Sequence, residues 1–268
     1  MLKLIASDID GTLMPYGQKE LPPALFGLIR RLRSVGILFC PTSGRQYHSM
    51  RTLFAPVADE VCFLCENGGI IFGPGEEYGA PVLSKTAMPR PDALALAHAI
   101  MELPECEVLI SGQNVSYVCG CGEDFVRRME DVHGNLVARV DRVEDITEDI
   151  LKVTAFCPNG LDGPAATLGP RWGGRYHMAE AGPVWLDFGL ADKGSGLRGL
   201  CRALGIEPAE AAAFGDNWND VSMLEMVGMP WLMASAAPAL RERFPRQCAD
   251  VPETLESMLR EVELRNGR

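Results

Sequence analysis

The sequence predicts an α/β fold, a doubly wound, mostly parallel (Rossmann-like) core sheet interrupted by an inserted α+β cap domain. Three observations carry the prediction. Short, uninterrupted apolar runs alternate with amphipathic helical stretches at both ends of the chain, the rhythm of strand–helix–strand units whose sheet is covered on both faces. The middle of the chain carries strand candidates paired about turn signals instead, a hairpin habit foreign to parallel sheets. Clusters of acidic, hydroxyl-bearing and glycine residues directly follow or adjoin the terminal runs, where open α/β sheets bind ligands.

The elements follow in order. Residues 2–6 are the first apolar run, ended by Ser7-Asp8-Ile9-Asp10-Gly11. Residues 22–35 have helical periodicity, with Leu25, Leu28, Ile29 and Leu32 on one face, Arg30, Arg31 and Arg33 on the other, and Gly36 as the stop. Residues 37–40 form a second buried strand running into Pro41-Thr42-Ser43-Gly44-Arg45; a helix follows, and residues 61–65 form a third strand. The middle then reads as a helix over 91–103, strands over 107–110 and 115–119 joined by Ser111-Gly112-Gln113-Asn114, and a helix over 123–132. Strands over 136–140 and 151–157 come next, and 175–179 with 184–188 read as a hairpin around Gly182-Pro183. The α/β rhythm returns with a helix over 194–204, a strand over 211–214, a helix over 220–227, a strand over 231–234 and a closing helix over 252–264. The expected division is a core of residues 1–83 and 187–268, and an insertion of residues 84–186.

Composition bounds the partners. The 268 residues suffice for one large domain or two modest ones. The formal net charge of -11 repels phosphate backbones and anionic lipids, so neither nucleic acid nor a membrane is an expected partner. A small anionic substrate remains compatible, because local donors and a metal overcome the global field. The apolar start is cut short by Asp8 and Asp10, unlike a secretion signal, and the longest uncharged stretch, residues 226–240, is too short to span a bilayer and contains Pro230 and Pro238. A cytoplasmic location is expected, and the nine cysteines are expected to be thiols packed as small hydrophobes. Cys62 and Cys65 have the spacing of a redox pair but sit in a strand pattern; Cys119 and Cys121 lack the second pair a zinc finger needs. The oligomeric state is left open.

Four clusters carry chemistry. Asp8 and Asp10, two apart at a strand end, can face the same way and are costly there without a cation or donors. They suit magnesium, nucleophilic attack on phosphorus by one carboxylate, and acid/base work by the other. Gly11 would let the backbone turn its N–H groups to a phosphate. The same residues also fit an acidic turn or a calcium-type loop. The Ser43 hydroxyl can donate to a phosphoryl oxygen or cap a helix, and Arg45 can grip an anion or face solvent. Lys193, among Gly194 and Gly196 at a helix start, suits a phosphate as a point charge, though a surface lysine reads the same way. Asp216, Asn217, Asn219 and Asp220 follow a short apolar strand; Asp216 can complete a metal site opened by Asp8, and Asp220 can support it from behind.

Taken together, Asp8-Ile9-Asp10-Gly11-Thr12, Ser43-Gly44-Arg45, Glu66-Asn67-Gly68, Lys193-Gly194 and Gly215-Asp216-Asn217-Trp218-Asn219-Asp220 resemble, in order and over nearly the whole chain, the haloacid dehalogenase superfamily, and within it the Cof-like phosphatases. The resemblance implies Asp8 as nucleophile, Asp10 as general acid/base, and magnesium held by Asp8, Asp216 and the Asp10 main-chain carbonyl. It implies phosphate or substrate contacts from Gly11, Ser43, Gly44, Arg45, Lys193 and Asn219, with Thr12 and Asp220 supporting them. About 150 residues separate Ser43 from Lys193, so the insertion lies where the family's type-two subclass B cap is found. Ser43 stands where the family more often has Thr, and Met233-Ala234-Ser235-Ala236 where Met-Gly-Asn-Ala is common. The implied activity is hydrolysis of small phosphomonoesters, sugar or related metabolite phosphates; phosphomutase-type transfer and a non-catalytic phosphate-binding regulator are the alternatives.

Overall fold

A computed structural model describes residues 1–266. The first half of the core runs β1 (Leu4–Asp8), α1 (Pro23–Ser34), β2 (Leu38–Thr42), α2 (Tyr47–Leu53), β3 (Phe63–Cys65), β4 (Ile70–Phe72) and β5 (Val82–Lys85). A second layer follows: α3 (Arg90–Met101), β6 (Glu107–Ser111), β7 (Ser116–Cys119), α4 (Glu123–Arg127), β8 (Val137–Val140), β9 (Lys152–Phe156), α5 (Asp162–Trp172), β10 (His177–Glu180) and β11 (Trp185–Gly189). The chain then returns through α6 (Lys193–Leu204), β12 (Ala211–Gly215), α7 (Val221–Met226), β13 (Met229–Met233), α8 (Pro238–Arg243), β14 (Gln247–Cys248) and α9 (Val251–Asn266).

The core sheet has the order β14-β13-β12-β1-β2-β3-β4-β5. From β14 to β3 every pairing is parallel; β3–β4 and β4–β5 are antiparallel. The mostly parallel, doubly wound core is therefore as expected. Both faces are buried because the strand side chains alternate. Ile5, Ala212 and Phe214 pack with α1 and α9, while Leu4, Ala6, Ala211 and Ala213 pack with α6, α7 and α8.

The second sheet has the order β10-β11-β9-β6-β7-β8, antiparallel except for β7–β8. One face buries Val108, Ile110, Val153, Ala155, Leu186 and Phe188 against α3 and α5. The opposite face carries Leu109 and Ser111 on β6, Lys152 and Thr154 on β9, and Trp185 and Asp187 on β11, and it lines a cavity shared with the core.

The expected boundaries at 84 and 186 need correction. Ser84 and Lys85 pair with Ile71 and Ile70 in the core sheet, and β11 continues to Gly189 in the second. The crossings therefore fall near residues 86–89 and 190–192. The β4–β5 hairpin escaped the sequence because three apolar residues after a turn carry no period. Helix α5 escaped because it contains Pro164 and Pro170; the first lies in its opening turn, where the missing N–H costs nothing. Among the described residues no helix is long and apolar enough to cross a membrane, and all nine cysteines are free thiols.

Candidate active site

The parallel strands deliver the site residues at their carboxyl ends. Asp8 is the last residue of β1 and Thr42 the last of β2, with Ser43 just beyond; Gly215 ends β12, with Asp216 just beyond. Lys193 is the first residue of α6, whose start is fixed by a reciprocal cap. The Asp192 carboxylate accepts from Ser195 N at 2.6 Å, and Asp192 N donates to Ser195 Oγ at 2.9 Å.

Lys193 Nζ lies 2.5 Å from both Asp8 Oδ1 and Asp220 Oδ1. All three residues are buried. The other Asp220 oxygen accepts from the main-chain N–H groups of Asp216 and Asn217, at 2.9 and 3.1 Å. Asp220 thus joins the turn after β12 to the lysine. Asp216 accepts from Thr12 Oγ1 at 3.1 Å and from the Tyr16 hydroxyl at 2.9 Å.

Carboxylate oxygens of Asp8, Asp216 and Asp220 lie within 4.8 Å of one another. Burial pushes the Asp8 carboxyl well above its usual range; Lys193 opposes this, and Asp220 and Asp216 reinforce it. Asp216 is raised for the same reasons, burial first and Asp220 next. The paired carboxylates hold the Lys193 ammonium protonated against its burial. Three carboxylates facing one ammonium leave two negative charges uncompensated when all are ionised. An all-oxygen donor set with that deficit fits a hard divalent cation.

The remaining expected residues fall as follows. Asp10 turns its carboxylate away to Arg45 in a two-pronged pair, 2.8 Å to Nε and 2.6 Å to Nη2, so its side chain is not in the acidic cluster. The Ser43 hydroxyl does not cap α2, whose N-cap is Gln46; it accepts from Arg45 N at 3.2 Å and lines the cavity. Asn219 is exposed and lines the cavity too. Gly44 gives its carbonyl to Lys152 Nζ at 3.0 Å.

Gly11 has a different role from the one expected. Its N–H is spent on Met14 O at 2.7 Å, so it is not presented to an anion. With φ at +93°, a Cβ there would stand 2.4 Å from Asp216 Oδ2 and 2.7 Å from the Tyr16 ring. Glycine is what lets Asp216 and Tyr16 come together over β1.

Sequence reasoning named Glu66 and Asn67 only as part of a motif, and it missed Lys152, Asp187 and Tyr16 as site residues. Lys152 pairs with Glu66 at 2.9 Å and Asp187 at 3.2 Å, all three buried. Ser111 Oγ donates to Glu66 at 3.0 Å, Thr154 Oγ1 to Asp187 at 2.7 Å, and Asn67 Nδ2 to Asp187 at 3.1 Å. The signal available was a charged residue at alternate positions of otherwise apolar strands, in Leu151-Lys152-Val153-Thr154 and Trp185-Leu186-Asp187-Phe188. The cavity between the layers has a volume of about 490 Å³.

Fold and site together define a Rossmann-like α/β enzyme with an acidic centre roofed by a second sheet. The chain belongs to the haloacid dehalogenase-like hydrolases: the family model matches residues 5–253. Among curated proteins it is similar to the 5-amino-6-(5-phospho-D-ribitylamino)uracil phosphatase of Escherichia coli (strain K12), 28% identical over 249 residues, 89% of this chain and 88% of that one. A solved structure from Eubacterium rectale is 28% identical with a TM-score of 0.85, covering 96% of this chain and 99% of that one. A solved subclass IIB sugar phosphatase of the same superfamily shares the fold at a TM-score of 0.78 and 18% identity, over 96% of this chain and 98% of that one.

Proposed function

We propose that this protein is a magnesium-dependent phosphatase that hydrolyses small phosphomonoesters, sugar or related metabolite phosphates, through an aspartyl-phosphate on Asp8. The observation that carries the reading is the environment of Asp8: a buried carboxylate at a strand end, 2.5 Å from an ammonium, in a cluster short of two positive charges. Family membership and the similarity to a named phosphatase support it. Residues from about 86 to 190 are the cap and the rest is the catalytic core.

In this reading Asp8, Asp216 and the main-chain carbonyl of Asp10 hold Mg²⁺, which supplies the positive charge that lets a phosphate dianion approach a carboxylate. Lys193 and the Ser43 hydroxyl meet the phosphoryl oxygens, and Asp220 fixes the lysine. An Asp8 oxygen attacks phosphorus as the ester P–O bond breaks, and protonated Asp10 gives its proton to the departing oxygen. Asp10 then takes a proton from a water whose oxygen attacks the same phosphorus; phosphate leaves and the Asp8 carboxylate returns. Asp10 must first be freed from Arg45. An anionic substrate competes for that guanidinium, so substrate entry itself releases the acid/base group.

The test is phosphate release from a panel of phosphorylated metabolites. EDTA should abolish it and added magnesium restore it, and Asp8→Asn should fold normally while losing at least about a thousandfold in kcat. An Asp8→Asn protein within tenfold of the unaltered one overturns the nucleophile assignment.

A further inference from the structure

The roof of the cavity has two halves of different chemistry. On the second sheet's inner face, the residues nearer the core are Ser111, Lys152, Thr154 and Asp187. Their polar groups are already committed: Ser111 to Glu66, Lys152 to Glu66, Asp187 and the Gly44 carbonyl, and Thr154 to Asp187. Two further amides in the cavity wall are wholly or partly spent, whereas the buried Asn67 Oδ1, on the core side, has no hydrogen-bond partner among the described residues. Gln46 donates to Ser116 Oγ and Leu136 O and accepts from Leu136 N, and Asn135 donates to Ser116 Oγ. The other half of the roof is apolar and aromatic, with Leu109, Met129, Pro183 and Trp185.

Trp185 is held as a platform. Its ring packs on Phe156 with centroids 4.6 Å apart and lies 6.4 Å from Phe125, while the His133 ring meets it edge-on at 5.2 Å. The His133 imidazole has no hydrogen-bond partner among the described residues and also lines the cavity. Burial, with Arg45 and Arg128 nearby, pushes its pKa below the usual value. It is therefore neutral near pH 7 and offers one donor and one acceptor at the edge of the platform.

We propose that the cap end of the cavity seats a flat heteroaromatic ring on the leaving-group side of the substrate, with Trp185, Leu109 and Met129 against its faces and His133 at its polar edge. This rests on the phosphatase reading above and narrows its substrate class. A sugar ring presents hydroxyls all round. Here it would find few unspent partners on the roof and would lose hydrogen bonds to water without replacement. A flat ring with apolar faces loses little there and gains stacking. The cavity, about 490 Å³, is of the size that holds a ring together with a phosphoryl group.

The discriminating experiment compares pyridoxal 5′-phosphate with D-glucose 6-phosphate on the intact protein with magnesium. Both are phosphate esters of a primary alcohol, so the chemical step is similar and the ratio of kcat/KM values reads the cap. The ratio should favour the pyridoxal ester by tenfold or more. Trp185→Ala should reduce it by about two- to tenfold, and Trp185→Phe should recover most of the loss. A ratio of one or less in the unaltered protein overturns the inference, as does a ratio unchanged in a folded Trp185→Ala protein. Calorimetric binding of the same two compounds needs no turnover. If neither ester releases phosphate, the affinity ratio decides whether the roof prefers the ring, and the phosphatase reading stands or falls separately on the metabolite panel.

Discussion

Asp216 and Asp220 are four residues apart, chemically identical, and tied to the same charge cluster, yet their surroundings assign them opposite energetic signs. Asp220 is fully buried, and both its oxygens are occupied by Lys193 and by two main-chain N–H groups. Removing it strands two amides and half of the lysine's compensation, a loss on the order of 3–5 kcal/mol. Asp216 is partly exposed, its carboxylate is bonded among the described residues to the hydroxyls of Thr12 and Tyr16 alone, and its charge adds to a surplus of negative charge. In metal-free buffer, Asp220→Ala should lower Tm by on the order of 10 °C, whereas Asp216→Ala should leave it unchanged or raised and instead abolish the response of activity to magnesium. Thermal melts together with a magnesium titration check both; equal loss of Tm in the two variants would mean that the charge surplus is not felt. The individual carboxylates were legible in the sequence because each follows an apolar run that can only be a buried strand. Their division of labour was not, since it depends on Lys193 reaching Asp220 and on the hydroxyls of Thr12 and Tyr16, some 200 residues away in the chain, reaching Asp216. The same distance hid Tyr16, which reads as a surface tyrosine until Asp216 arrives beside it.

At the scale of elements, the joint between the sheets is built from one loop and two strands. Glu66, Asn67 and Gly68 have φ values of 52°, 54° and 95°, three left-handed residues in a row. Two of these carry side chains and cost roughly 1–2 kcal/mol each in that conformation. The strain turns Glu66 and Asn67 out of β3 toward Lys152 and Asp187 on the second sheet. The strand positions were legible; the alternation that puts Lys152 and Asp187 on the inner face was present too, but it acquires meaning only once the facing layer is known. Lys152 is the sole cation between two buried carboxylates among the described contacts of this network. Lys152→Met should therefore destabilise the protein by about 3–5 kcal/mol, read from urea denaturation. The triple change Lys152→Met, Glu66→Gln, Asp187→Asn should recover most of that by removing both stranded charges. A cost under about 1 kcal/mol for the single change would show the network to be energetically neutral, which buried ion pairs can be.

On the scale of the molecule, the question is whether the second sheet filters substrates. The core and the second sheet have largely separate apolar clusters, with Leu151 the second layer's contribution to the core's cluster. The links between the layers are mostly polar: Gln46 to Ser116 and Leu136, His48 N to Asn114, Lys152 to Gly44 and Glu66, and Asn67 to Asp187. Polar joints of this kind open at low cost, because water replaces the partners, whereas each apolar cluster resists division. The residues assigned to phosphoryl transfer, Asp10 included, are in the core, at or just beyond the strand ends or at the start of α6, whereas those assigned to the leaving group's ring, Trp185, Leu109, Met129 and His133, belong to the second layer. Excising residues 86–190 and bridging Lys85 to Ala191 with a short glycine–serine link should leave a foldable core. The change exposes Glu66 to solvent instead of stranding it, and the Asp8–Lys193–Asp220 cluster is untouched. That core should still bind magnesium and hydrolyse a small activated ester such as acetyl phosphate. Its ratio of kcat/KM between pyridoxal 5′-phosphate and D-glucose 6-phosphate should fall to within about threefold of one, since it then contacts little beyond the phosphoryl group. Preservation of the full-length ratio in the shortened protein would locate specificity in core residues, Arg45 first among them, and would leave the second sheet the narrower task of excluding water from the acyl-phosphate.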